Sequence, residues 1–165
     1  MVALRPITPG DLPRLRRFWQ EHWAGEEMIV HGEIFRAEQL QGFVTDDWTG
    51  LVTYFVGEDG CEIISLDALK EGGGTGTALI GAVVDEATRR ECRRVFLSTT
   101  NDNLHALGFY QRRGFELVGI RRGAITESRK RKPGIPLIGD NDIPQRDEIE
   151  LELRLPAQRT PGRGS

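Results

Sequence analysis

A glycine run wedged between an apolar stretch and an amphipathic one constrains this chain more than any other feature. Cys61–Leu66 reads as a strand, and Gly72-Gly73-Gly74-Thr75-Gly76 follows it closely. The stretch 75–91 then carries Leu79, Val83 and Ala87 on one helical stripe, with Ile80 and Val84 beside it. Arg94–Thr100 reads as a second strand. Strand, helix, strand in this order is a crossover, and a crossover sets its two strands parallel. The glycine turn therefore sits at the carboxyl end of a parallel strand, where open sheets take their ligands. Glycines there leave backbone N–H groups bare at a helix N-terminus, a cradle for an anionic group such as a phosphate.

The rest of the chain frames that crossover. Residues 2–6 read as a short strand, and Thr8-Pro9-Gly10-Asp11 supplies turn and capping chemistry. A helix over 12–23 places Leu12, Leu15, Trp19 and Trp23 at helical spacing, and Gly25 ends it. Residues 26–36 read as irregular, with a helical turn near 37–40. Runs over 42–45, 51–56 and 61–66, joined by turn-rich segments, read as an antiparallel meander. Beyond the crossover come a helix over 103–113, a strand over 115–120 and a polar connection over 123–146 with one helical turn near 126–132. Residues 148–155 alternate Ile149, Leu151, Leu153 and Leu155 against Glu148, Glu150, Glu152 and Arg154, a half-buried strand. As the terminal strand, it is expected at a sheet edge, open to pairing in a homodimer. The expected organisation is one domain over 1–155 and a disordered tail over 156–165.

Composition excludes more than it assigns. A net charge of −3 argues against a dedicated nucleic-acid binder. The basic run Arg129-Lys130-Arg131-Lys132 reads as a solvated helix end before Pro133. No apolar stretch is long enough to span a membrane, and the N-terminus lacks a signal-peptide core. Cys61 and Cys92 suggest neither a disulfide framework nor metal-ligand spacing, and His22, His31 and His105 are scattered. A cytoplasmic protein without a metal is the expectation.

Two common phosphate motifs fail at the glycine turn. No lysine follows its glycines as a P-loop requires, and the third glycine of the dinucleotide fingerprint is missing. A second motif lies downstream, Asn103-Leu104-His105-Ala106-Leu107-Gly108-Phe109-Tyr110 followed by Gln111-Arg112-Arg113-Gly114-Phe115. The pair resembles the GCN5-related N-acetyltransferase (GNAT) superfamily. Its phosphate loop reads [QR]-x-x-G-x-[GA] ahead of a helix, matched by Gly74 and Gly76. Its later signature, N-x-x-A-x-x-x-Y-x-x-x-G-F, is matched by Asn103, Ala106, Tyr110, Gly114 and Phe115. The matching core spans about residues 61–118. Glu71 departs from the pattern, standing where Gln or Arg is usual.

The resemblance implies an α/β (α+β) GNAT fold. That is a mixed, mostly antiparallel sheet of six to seven strands with one central parallel pair, flanked by about four helices. It implies acetyl-CoA as acyl donor and a small-molecule or peptide amine as acceptor. Gly72, Gly73, Gly74, Thr75, Gly76 and Thr77 would cradle the pyrophosphate. The pantetheine arm would add to the strand edge at Ile64, Ser65 and Leu66. Asn103 would bond the cofactor, cap its own helix, or both, with Asn101 and Asp102 as rival caps. Tyr110 would contact the cofactor and protonate the leaving thiolate as general acid; a core aromatic is the plainer reading. Glu62 is the candidate base for the amine, or else a solvated strand carboxylate. Trp23, Glu26, Glu27, His31 and Glu33 would wall the acceptor site, with the 123–146 connection closing over it. The competing readings are a non-enzymatic acyl-CoA-binding module and an interaction protein that uses the basic run on an acidic surface.

Overall fold

A computed structural model describes residues 2–156; the expected tail beyond Pro156 lies outside the described residues. Seven strands form one sheet. They are β1 (Arg5–Pro6), β4 (Gln41–Val44), β5 (Gly50–Gly57), β6 (Gly60–Ala68), β7 (Arg94–Thr100), β8 (Glu116–Arg121) and β9 (Glu148–Arg154), in the order β1-β4-β5-β6-β7-β9-β8. Helices α1 (Leu12–Trp23), α2 (Thr75–Arg89), α3 (Leu104–Arg112) and α4 (Ala124–Arg131) flank it. Every neighbouring pair is antiparallel except β6 and β7, the two strands of the crossover. This is the expected fold class.

The two sheet faces carry separate cores. On one, Cys61, Ile63, Val95, Leu97 and Leu151 pack against Leu79, Val83 and Ala87 of α2 and Tyr110 of α3. The apolar stripe read from the sequence thus faces the crossover it belongs to. On the other, Leu15, Phe18 and Trp19 of α1 pack with Val44, Leu51 and Ile64.

Two expectations need correction. Residues 26–36 are not irregular but a hairpin of β2 (Glu27–Val30) and β3 (Glu33–Arg36). Its two-residue turn puts His31 at φ 43° and Gly32 at φ 80°, the positive pair that the twist of a tight hairpin favours. Met28, Val30 and Phe35 fill the core beside α1. The second correction concerns β9. It is not an edge strand but lies between β7 and β8. Both of its faces are engaged, which explains the placement. Leu151 is fully buried, while Glu148, Glu150 and Glu152 form ion pairs with Arg121 and Arg94 at 2.9–3.3 Å. The edge is β8, where Leu117, Val118 and Ile120 are exposed.

Candidate active site

The parallel pair is short. β6 and β7 pair only as Cys61–Val95, Glu62–Phe96 and Ile63–Leu97, and then diverge. A shift in register against β5 between Thr53 and Tyr54 leaves Ile64 as an extra residue, bending β6 away. The gap is a cavity of about 190 Å³. Ile63–Leu66 and Leu97–Thr100 line its strand walls, and Asn103, Ala106 and Tyr110 come from α3. Trp23 and Met28–Val30 close one side; Ile125, Ser128, Lys132, Ile135, Gln145 and Glu148 close the other.

The glycine turn follows β6 and opens α2. Gly72 and Gly74 sit at φ 77° and 75°, and Gly74 caps α2, so the turn needs residues free of a Cβ. At Gly76 a Cβ would stand 2.9 Å from the Phe109 ring, so the close approach of α2 to α3 requires glycine there too. Arg113 lies 3.5 Å from the centroid of that ring and donates to Thr77 Oγ1 at 2.7 and 3.1 Å. This brings a cation to the first turn of α2, beside the loop where Glu71 lacks one. The sequence reading passed over Arg113, although it stands inside the downstream signature.

Tyr110 is buried, edge-on to Phe109 and Phe115 at 5.3 and 5.4 Å. The ring belongs to the core, as the plainer reading has it, and the residue also lines the cavity. Among the described residues no group hydrogen-bonds its hydroxyl. Burial, with a smaller contribution from Asp67, pushes its pKa up and keeps the phenol protonated. Asn103 takes the cap of α3, accepting from the Ala106 N–H at 3.0 Å, and also lines the cavity. Asp67, which the sequence did not single out, accepts from Trp23 Nε1 at 3.0 Å. Burial raises its carboxyl to about 6, against the Trp23 hydrogen bond.

The candidate base is not on the cavity wall. Glu62 is 4% exposed and lies in a shallow surface hollow with His31 and Glu33. His31 Nε2 donates to its carboxylate at 2.9 Å; a carboxylate only accepts, so Nε2 carries the proton. This bond raises the His31 pKa, against the opposing effect of burial. The carboxylate that does line the cavity is Glu148, 3% exposed, on β9. It accepts from the His31 backbone N–H at 3.0 Å and from Arg121 at 3.1 Å. One hairpin residue thus holds both acids, its backbone on Glu148 and its ring on Glu62. Of the other expected wall residues only Trp23 reaches the cavity. Glu27 pairs instead with Arg36 and Arg131.

The 123–146 connection is built into the fold. Asn101 Oδ1 accepts from the N–H groups of Arg146 and Asp147, and its Nδ2 donates to Pro144 O. Asp102, 1% exposed, accepts from the Asp140 N–H at 2.8 Å. The two rival caps thus tether the connection rather than α3. The basic run ends α4 with Lys130 and Arg131 exposed, as expected, but Arg129 and Lys132 turn inward. Arg129 donates to the carbonyls of Ile135, Pro136 and Gln145, and Lys132 donates to those of Trp23 and Glu27. The bare carbonyls of an irregular segment need donors, and these side chains supply them.

The family model for the acetyltransferase (GNAT) family matches residues 12–115. The protein YxbD of Bacillus subtilis (strain 168) is 44% identical over 152 residues, covering 90% of this chain and 94% of YxbD. The chain belongs to the GNAT acetyltransferase family. Among solved structures, it is similar to a Bacillus subtilis acetyltransferase in complex with CoA, with TM-score 0.69 and 18% identity over 94% of this chain and 99% of that one. A GNAT family acetyltransferase from Elizabethkingia anophelis with acetyl-CoA bound gives TM-score 0.69 and 17% identity over 93% and 98%. These likenesses show the GNAT fold. The matched GNAT span holds Glu62, Tyr110 and the glycine turn; the 123–146 connection and Glu148 lie beyond it.

Proposed function

We propose that the protein transfers the acetyl group of acetyl-CoA to a primary amine by direct attack. One observation carries this reading: β6 and β7 part into a cavity lined by Tyr110 and a buried carboxylate, and β6 leads on to the glycine turn that opens α2. The unpaired edge of β6 from Ile64 onward would take the amide-rich pantetheine arm, and the N–H groups of 72–77 its pyrophosphate. Asn103 would bond the cofactor while capping α3, and the backbone of β6 would polarise the thioester carbonyl.

Tyr110 would then act as general acid. In water a phenol is a weaker acid than a thiol, by about 10 against 8.5. Burial raises both groups and leaves that order in place: with smaller contributions from Cys92 and Glu62 it lifts the Cys61 thiol of this protein to about 12, and it raises the Tyr110 phenol as well. The phenol would therefore act by donating its hydrogen bond to the sulfur as the C–S bond breaks, where a dry cleft disfavours a bare thiolate. The same burial removes Cys61 as a nucleophile, which favours direct attack over a cysteine intermediate.

For the amine proton, the cavity favours Glu148 as the group that meets the ammonium, with Glu62 and His31 behind it as the second acceptor. A thiol-release assay with acetyl-CoA across amines, amino acids and peptides tests the activity; an acyl-CoA-binding module would bind without release. The pH–rate profiles of Glu148→Gln and Glu62→Gln separate the two acids. The acidic limb should vanish in Glu148→Gln and shift in Glu62→Gln. The reverse pattern would return the base role to Glu62.

A further inference from the structure

Among the described residues that line the cavity, one is a lysine or arginine and one is a carboxylate, Lys132 and Glu148. They are not equally satisfied. Glu148 is paired with Arg121. Lys132 Nζ donates to the carbonyls of Trp23 and Glu27 at 2.6 and 2.7 Å, which uses two of the three hydrogens of an ammonium. Glu27, whose carbonyl it binds, commits its carboxylate to Arg36 and Arg131. Lys132 is thus a half-buried cation on a cavity wall, held by two neutral oxygens with a third N–H left over. Burial lowers its pKa against a smaller opposing effect of the Glu27 carboxylate, so the counter-charge it feels falls short of its desolvation. A ligand that brings an anion here would relieve that shortage and gain a charge-assisted hydrogen bond. The same cavity is lined by the apolar Met28, Val30, Ile125 and Ile135, with Ser128 and Gln145 as polar neighbours.

We infer that the acceptor is a free amino acid with an apolar side chain, its amine toward Glu148 and its carboxylate on Lys132. The inference rests on the acetyltransferase reading and narrows it. A peptide N-terminus has no carboxylate at the α-carbon and leaves Lys132 without its partner. An alkylamine does the same.

The test is kcat/KM by thiol release from acetyl-CoA, for alanine, valine, leucine and methionine, each beside its methyl ester and its decarboxylated amine. The ester's amine is less basic than the parent's and the decarboxylated amine's is more basic, so no trend in basicity mimics a preference over both. The expected result is at least one amino acid favoured at least tenfold over both analogues, the size of a hydrogen bond to a charged group. In Lys132→Gln that ratio falls to within threefold of unity. Taking the ratio cancels any general loss from the altered tether, and the wild-type comparison stands without the variant. Release with the esters or amines but no preference for any of the four parents overturns the inference and leaves the acetyltransferase reading intact. No release with any acceptor overturns both.

Discussion

Replacing Tyr110 by Phe separates what the phenol does for chemistry from what the ring does for packing. The ring's edge-on contacts to Phe109 and Phe115, at 5.3 and 5.4 Å, survive in phenylalanine. The hydroxyl has no hydrogen-bond partner among the described residues, so its removal breaks no bond and strands no donor. Stability should therefore change by less than about 1 kcal/mol, or roughly 2–4 °C in melting temperature for a chain of this size. A general acid contributes about 10²–10⁴ to rate, which is about 3–5 kcal/mol of barrier. Turnover in thiol release should fall about a hundredfold or more, while acetyl-CoA affinity by calorimetry stays within about threefold. Turnover within threefold of wild type would refute the acid role. A melting temperature that dropped along with the rate would mean that the residue acts through packing instead.

Two further outcomes follow from other parts of the site. Asp67 has a folded pKa raised to about 6, so the native state binds its proton more tightly than the unfolded chain. The stability this gives is complete below about 4 and lost as pH rises through about 6, a loss of up to about 3 kcal/mol. Asp67→Asn keeps an oxygen for Trp23 Nε1 and should melt higher than wild type at pH 7.5, with a flatter profile between pH 4 and 7; an unchanged slope there would show that Asp67 titrates normally. Asn101→Ala removes the three side-chain hydrogen bonds that Asn101 makes to 144–147, among others that remain, and so loosens the approach to Glu148. It should lower kcat/KM for the amine at least tenfold and leave acetyl-CoA affinity nearly unchanged, and equal losses in both would argue for a general structural role.

What the sequence made legible was local. The stripe of Leu79, Val83 and Ala87 marked α2 because it recurs at helical spacing, and the glycines ahead of it had few other uses. The downstream signature marked α3 and Tyr110 by its resemblance to the GNAT motif. The hairpin at β2 and β3 escaped because His31 supplies a positive φ where Asn or Asp is the usual signal. The interior place of β9 escaped for a different reason. Which strands pair is decided by burial on both faces, and Arg94 and Arg121 lie far along the chain from the glutamates they bind. The acids of the site escaped likewise. His31 and Glu148 stand 117 residues apart in the sequence, so no spacing could link them. The inward turn of Arg129 and Lys132 escaped because a sequence does not show which carbonyls a side chain will reach.

The central claim is direct transfer from acetyl-CoA to an amine. It is tested most directly by incubating the protein with acetyl-radiolabelled acetyl-CoA, first alone and then with an acceptor, and separating protein from small molecules. No label should stay covalently on the protein, and acetylated amine and free CoA thiol should appear together in equal amounts once the acceptor is added. Label held covalently by the protein before the acceptor arrives, or thiol released without acetylated product, would contradict it.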